Sequence, residues 1–148
     1  MLHLQGSKPF GLSAEKLYPL LADLTHLVKT LPDVKTVKEV SEASALIVVA
    51  PSLSFIKGEL ETQLQRLSST PPTHAELQVH SKGIGTTVKL LASFNLEPQD
   101  QGCVMNWQAT IQEMGGLLKL VPSSLIKGAA QKTIDSWLHS LEQSATSS

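Results

Sequence analysis

Hydrophobic and polar residues alternate along most of the chain and change to a helical spacing near its end. From Ser123 to Gln143 the apolar residues recur every three or four positions, which places them on one face of an α-helix: Ile126, Ala130, Ile134, Trp137 and Leu141. Polar side chains occupy most of the other positions, so the helix is amphipathic and its apolar face must pack against another apolar surface. At about 1.5 Å per residue it spans roughly 30 Å, enough to cross a small domain.

Seven strands are predicted before that helix, because apolar and polar residues alternate with a period of two. The clearest is the run from Ser54 to Leu67, where Leu60, Thr62 and Leu64 share one face. In the predicted strands 86–96 and 103–111, alternate residues are also mostly apolar and are expected to lie on the inner face of the sheet. The predicted strands are 2–9, 34–41, 45–53, 54–67, 74–82, 86–96 and 103–111.

Two short helices are predicted between the first and second strands. Ser13 is a suitable N-cap for a helix to about Asp23, and a second short turn runs from Thr25 to Leu31 before Pro32 stops it. This order predicts an α+β fold in which a curved, seven-stranded antiparallel sheet wraps around the long last helix. We expect one domain over residues 1–143 and a disordered tail over 144–148.

Composition excludes several classes of protein. The 148 residues are 41% hydrophobic and 17% charged, with a formal net charge of −1, so there is no basic footprint for nucleic acid. Cys103 is the only cysteine, which excludes an intrachain disulfide and any multi-cysteine metal site and predicts a reducing, cytoplasmic location. The first residues lack a basic segment followed by an apolar run, so no secretory signal is expected, and no run approaches 18 consecutive apolar residues, so no membrane span is expected.

The order of elements resembles the helix-grip fold of the START-like, or SRPBCC, superfamily. Three segments resemble its carbon monoxide dehydrogenase G-subunit family more closely: Leu17–Asp23 with Leu31-Pro32-Asp33-Val34, Ile56-Lys57-Gly58-Glu59, and Gly128-Ala129-Ala130-Gln131-Lys132. The sequence departs from the family pattern at Asp33, where a glycine is expected, and in the short turn after Lys82. No membrane-attaching extension follows the last helix, so direct anchoring is not expected, whereas peripheral membrane contact stays open.

The resemblance implies a deep apolar cavity between the last helix and the sheet. It implies binding of a hydrophobic small molecule, lipid- or quinone-like, and an accessory role beside a redox enzyme, since family members are associated with maturation or membrane recruitment of molybdenum hydroxylases. No cofactor is expected. Inward parity selects the candidate ligand-binding residues: Leu60, Thr62, Thr86, Val88, Leu90, Met105, Trp107, Ile111, Glu113, Ile134 and Trp137.

Within that set the polar residues and the two tryptophans have more than one interpretation. Thr62 and Thr86, together with Ser81, are inward hydroxyls that bind a ligand or satisfy one another across strands. Glu113 continues the inner row at a strand end, where it orients a polar head group or reaches water. The tryptophans pack the sheet against the helix or stack on a ligand. The predicted entrance is formed by residues 24–31 and the Gly115-Gly116 junction.

No strong catalytic motif is present. By alternation none of the five histidines lines the cavity, no metal-ligand spacing occurs, and Cys103 is expected to pack as a small hydrophobe. Two alternatives to ligand binding remain open. One is a small cyclase- or hydrolase-type enzyme of the same superfamily, which needs at least two polar groups converging in the pocket. The other is a protein-interaction module with a filled core.

Overall fold

A computed structural model describes residues 2–51 and 58–146 of the chain. Its elements are seven strands, three α-helices and one 3₁₀ helix. In chain order they are β1 (Leu2–Phe10), α1 (Ala14–Ala22), α2 (Leu24–Leu27), β2 (Val34–Val40), β3 (Ser44–Val49), β4 (Leu60–Thr70), β5 (His74–Gly83), β6 (Thr86–Gln99), β7 (Gly102–Gly116), the 3₁₀ helix (Leu117–Leu120) and α3 (Ser123–Thr146).

The seven strands form one antiparallel sheet in the order β1-β7-β6-β5-β4-β3-β2. Each strand from β2 to β7 pairs with its neighbour in sequence, whereas β1 pairs with β7, from Leu2 opposite Ile111 to Phe10 opposite Cys103. The two short helices and α3 cover the inner face of the sheet, where the buried core lies. The predicted helix-grip architecture is confirmed.

The last helix lies across the sheet close to β1 and α1, which its backbone approaches. Its apolar face is buried at Trp137, Leu141 and Ala145. Lys8 on β1 and Glu142 on α3 form an ion pair with 3.1 Å between Nζ and Oε2. Because both side chains reach solvent, this pair contributes little to stability, and apolar burial holds the helix in place.

Several element boundaries differ from the sequence prediction. The helix α3 continues past Gln143 to Thr146, so Ser144 and Ala145 belong to it rather than to a tail. The strand β4 begins at Leu60, and Gly58, with a φ of 109°, lies before it in an exposed bend. The predicted start of that strand at residues 54–57, including Ile56, falls outside the described residues. The 3₁₀ helix was missed, because four residues are too few to show a period.

Among the described residues, none of the helices combines the length and the hydropathy needed to cross a lipid bilayer.

Candidate functional site: an apolar groove under the last helix

The buried core divides into two clusters on the inner face of the sheet. The larger one joins the sheet to α1, α2 and the C-terminal half of α3, and it includes Phe94, Met105, Trp107, Trp137 and Leu141. The smaller one lies near the start of α3 and consists of Leu60, Ile111, Leu118 and Ile126. Side chains that are only partly buried lie between and around the two clusters. The packing on the inner face is therefore uneven.

Seven of these partly buried side chains are apolar and face inward. On β6 the inner row is buried at Thr86 and at Phe94 but half-buried between them. Val49 on β3 follows the buried Ile47 with the same parity. These positions lie on the inner face of the sheet, pack against the core clusters and keep part of their surface accessible. We call the surface formed by the seven residues the groove: Val49, Val79, Val88, Leu90, Ala92, Ala130 and Ile134.

The apolar face of α3 is buried towards both ends and only half-buried in its middle. Ile126 is buried in the smaller cluster, and the helix is buried again from Trp137 onward. Between them, Ala130 and Ile134 are half-buried. Ala130 packs against both clusters, so the groove residues connect the two clusters near the N-terminal half of α3.

Trp137 fixes the helix to the loop that follows α2. Its indole Nε1 donates a hydrogen bond of 3.0 Å to Thr30 Oγ1, and the Thr30 hydroxyl donates to the Leu27 carbonyl at 2.8 Å. The ring also lies against Phe94, with 5.4 Å between centroids and a tilt of 48°. Trp137 therefore packs sheet, helix and loop together, as the packing interpretation predicted.

This bonding corrects the predicted entrance at residues 24–31. Leu24 and Leu27 are fully buried, and Thr30 is tied to α3. A segment anchored in this way does not form an opening. The other predicted element, the Gly115-Gly116 junction, comes directly after Met114 in the chain. Met114 on β7 and Val88 on β6 form a half-buried cross-strand pair at the end of the groove.

Trp107 is also held by packing. It lies opposite Gly6 in the β1–β7 ladder, and its indole covers that glycine so closely that a Cβ there would be 2.7 Å from Cζ2. Only glycine fits beneath the ring. Met105 and Trp107 are both buried in the larger cluster. They therefore belong to the packed core, against which aliphatic groove residues such as Leu90 and Ala92 pack.

The inward hydroxyls satisfy one another in part. Thr62 Oγ1 and Ser81 Oγ lie 2.8 Å apart across β4 and β5, which is the cross-strand alternative raised by the sequence. Thr86 is buried at the end of the inner row on β6, opposite Gly116. Along with Thr30 these threonines are the buried polar residues among those described. Of the predicted hydroxyls, Thr86 is the one placed at an end of the groove.

The prediction that Glu113 continues the inner row is wrong. A β-bulge interrupts the β6–β7 ladder. Leu90 on β6 pairs with Ile111, but the residue before it, Lys89, pairs with Glu113 instead of Gln112. Gln112 is therefore the extra residue, and alternation reverses after it. Glu113 lies exposed on the outer face beside Lys89, and Met114 takes the inner position. Glu113 leaves the set of candidate ligand-binding residues.

Titratable groups lie away from the groove. Four of the five histidines are exposed, and His74 shares a hydrogen bond of 2.9 Å with Asn95 at the sheet surface. Burial raises the pKa of the Cys103 thiol, and the nearby Glu15 carboxylate raises it further. The thiol is thereby kept protonated, so Cys103 packs as an apolar residue. The described residues contain no group of three or more His, Cys, Asp or Glu side chains arranged to hold a metal ion.

A separate cleft of about 680 Å³ lies where the β6–β7 turn meets the end of β1. It is open to solvent and is lined by Pro9, Phe10, Gly11, Gln99, Asp100, Gln101 and Cys103. None of the predicted ligand-binding residues lines it. Its lining is a mixture of exposed turn residues and the edge of the larger cluster, without a charged pair or a deep apolar wall.

The structure brings together only part of the predicted site. Val88, Leu90 and Ile134 line the groove, whereas Leu60 and Ile111 lie in the smaller cluster. Four groove residues were not among the candidates: Val49, Val79, Ala92 and Ala130. Val79 and Ala92 share the inward parity, and Ala130 lies on the apolar face of the last helix, so the signal for these three was present. Val49 needed the register of β3, which alternation alone does not supply.

A single antiparallel sheet gripping one long helix, with an apolar groove between them, is the architecture of START-like domains. The sequence matches the family described as the G subunit of carbon monoxide dehydrogenase (CoxG) over residues 6–146, and the chain therefore belongs to the CoxG family. A comparison with curated proteins gives no match.

Solved structures share the fold at low sequence identity. A conserved protein from Geobacillus kaustophilus superposes with a TM-score of 0.89 at 19% identity, covering 99% of this chain and 96% of that one. A START superfamily protein from Mycobacterium smegmatis gives 0.72 at 12% identity, with coverages of 98% and 97%. Protein CV1439 from Chromobacterium violaceum gives 0.72 at 14%, with coverages of 97% and 96%. These similarities show the shared fold.

Proposed function

We propose that the protein binds a hydrophobic small molecule in the groove between α3 and the sheet. The observation that carries this proposal is the interrupted inner row of β6, where Val88, Leu90 and Ala92 are half-buried between Thr86 and Phe94, which are buried. An inner face that served only as core would be covered along its whole length. Aliphatic side chains left accessible beneath a helix gain free energy when an apolar ligand covers them.

The area of apolar surface that a ligand covers sets the size of this gain. A ligand that removes roughly 200 Å² of apolar surface from water gains about 5 kcal/mol at 25 cal/mol per Å². Association entropy offsets part of this gain, so a ligand must fill the groove well to bind tightly. A long flexible or isoprenoid chain fits this requirement better than a compact polar molecule.

The chemistry of the walls supports the choice of ligand class. All seven groove residues are valine, leucine, isoleucine or alanine, and the two nearby tryptophans are buried in the larger cluster. Aliphatic walls favour an acyl or isoprenoid chain over a stacked aromatic base. Thr86, at the end of the inner row, is the hydroxyl we assign to a polar head group such as that of a lipid or quinone.

The family supplies the wider role in the proposal. Since the family is described as a component of carbon monoxide dehydrogenase, we propose that the ligand serves a redox-enzyme complex to which this chain is an accessory. A cytoplasmic location is part of the same proposal and is supported by the single free cysteine.

The test is native mass spectrometry of the protein purified without detergent, followed by extraction and identification of bound small molecules. Ala130→Phe places a ring in the middle of the groove, and Ser136→Phe adds the same ring to the exposed face of α3. We expect the wild-type protein and Ser136→Phe to retain an apolar adduct and Ala130→Phe to lose at least about 90% of it, since a filled groove has no room for a chain.

Equal adduct in the two variants would place the ligand elsewhere, for example in the cleft lined by Phe10 and Cys103. Absence of any adduct from the wild-type protein, together with no binding of added quinone or fatty acid, would favour the interaction module. Thermal unfolding of both variants checks that the ring has not disrupted the fold.

A further inference from the structure

The strand β2 lies at one end of the sheet and has a free edge. Within residues 2–51 and 58–146 it pairs with β3 alone, and six of its seven residues are exposed. A strand in this position presents backbone N–H and C=O groups that a further strand can pair with. The edge of β2 is therefore a candidate surface for extension of the sheet.

The valines of β2 all lie on one face. Two β-bulges, at Lys35 and Lys38, place a valine at every third residue opposite an inward residue of β3. These inner-face residues are Val34, Val37 and Val40. Val37 and Val40 are 43% and 41% exposed although their β3 partners, Ile47 and Ala45, belong to the buried core. The edge strand therefore carries accessible apolar surface.

The charges of β2 are placed symmetrically about its middle residue. Lys35 comes two residues before Val37, and Glu39 comes two residues after it; both are exposed. Lys38 already forms an ion pair within the chain, with 3.0 Å between its Nζ and Glu61 Oε2. Lys35 and Glu39 are therefore the charges that β2 offers to a partner strand.

We infer that β2 pairs with β2 of a second copy of this chain, antiparallel and about a twofold axis at Val37. In this register Val37 lies opposite Val37 of the partner subunit. Each Val34 lies opposite Val40 of the partner subunit, and each Lys35 lies opposite Glu39 of the partner subunit. Apolar pairs and opposite charges directly across two strands stabilise their pairing. The strand is thus complementary to itself, as a twofold interface requires.

The same residues select this register over its neighbours. Registers shifted by one or two residues lose the pairing of Lys35 with Glu39, and some of them bring lysine opposite lysine. Like charges directly opposite destabilise a strand pair. The pairing occupies the free β2 edge of both copies, so it closes as a dimer. Seven residues a side make a small interface, so we expect a weak, reversible dimer.

The test is sedimentation equilibrium of the 148-residue chain over a wide range of protein concentration. We expect the average mass to rise reversibly toward that of two chains. Glu39→Lys places lysine opposite Lys35 twice in each dimer and should weaken dimerisation about tenfold. Glu97→Lys, which makes the same change of charge at an exposed position of β6, is the matched control and should dimerise as the wild type does.

A charge exchange makes the test specific for a self-complementary interface. Lys35→Glu alone should weaken dimerisation about as much as Glu39→Lys does, because it places two carboxylates opposite each other. The double variant with Lys35→Glu and Glu39→Lys restores opposite charges across the twofold axis. We expect it to recover the dimerisation of the wild type.

A chain that stays monomeric at every concentration would overturn the inference, including one that instead pairs β2 with an extended segment of a different protein. A dimer that Glu39→Lys leaves unchanged, or a double variant that dimerises as weakly as the single variants, would also overturn it. The inference is independent of ligand binding in the groove, so either can fail while the other holds.

Discussion

Trp137 connects three parts of the fold through one side chain. Its ring packs against Phe94 on the sheet, and its N–H reaches Thr30, whose hydroxyl in turn holds the Leu27 carbonyl. The sequence predicted the inward placement of Trp137 from helical spacing. The partner of its N–H was not predictable, because Thr30 is far away in the chain and lies in a loop where no period applies.

The effect of this hydrogen bond on stability can be measured with a double-mutant cycle. Thr30→Val removes the acceptor and leaves a buried indole N–H unpaired, so we expect a loss of about 1–3 kcal/mol in the free energy of unfolding. Trp137→Phe removes the donor and part of the ring. Because the two residues share one bond, the double variant should lose less than the sum of the single losses, as measured by urea denaturation. Full additivity would show that the bond contributes nothing.

The carboxyl group of Asp23 makes the free energy of unfolding depend on pH in the acidic range. The Thr25 hydroxyl, with its oxygen 2.6 Å from Oδ1, is the main cause that lowers the pKa of Asp23 below its ordinary value of 3.8; burial opposes this shift. The Thr25 N–H and the charges of His26 and Arg66 lower the pKa further. A carboxyl whose pKa is lowered by folding stabilises the fold above its unfolded pKa, and this contribution is lost as the pH falls below 3.8.

The matched variant is Asp23→Asn, which keeps an oxygen to cap α2 but does not titrate. Between about pH 6 and pH 3 the free energy of unfolding of the wild type should fall more steeply than that of the variant. Parallel curves in urea titrations across this range would contradict the assignment.

At the scale of the element, strands and helices were predictable and their irregularities were not. Alternation placed the inner rows of β4 to β6, and of β7 as far as Ile111, on the correct face of the sheet. The bulge at Gln112 reversed that alternation for the last residues of β7 and moved Glu113 to the outer face. A bulge is set by the register between two strands, which the sequence of one strand does not contain.

The bulge predicts opposite outcomes at neighbouring positions. Glu113→Met changes an exposed outer side chain and should alter the free energy of unfolding by less than about 0.5 kcal/mol. Met114→Glu places a carboxylate against the smaller cluster and should cost about 1–3 kcal/mol. Chemical denaturation of the two variants decides between the registers, since unbroken alternation would predict the reverse order.

At the scale of the whole molecule, burial is more complete at one end of the inner face than at the other. The larger cluster joins the sheet, α1, α2 and the C-terminal half of α3, whereas the smaller cluster and the half-buried Ala130 and Ile134 lie toward the N-terminal half of α3. The fold class and the apolar helix face followed from the sequence. Which inner residues stay accessible did not, because that depends on how far the helix stands from each strand.

The pairing of β1 with β7 bears on how the chain reaches this fold. During synthesis the first strand emerges long before its partner, and α3, which covers the inner face, emerges later still. Until α3 is present, the apolar inner face of the sheet is exposed to solvent. Contacts between residues far apart in the chain also form slowly. Until α3 has been synthesised, the nascent chain therefore exposes an apolar sheet face that favours aggregation.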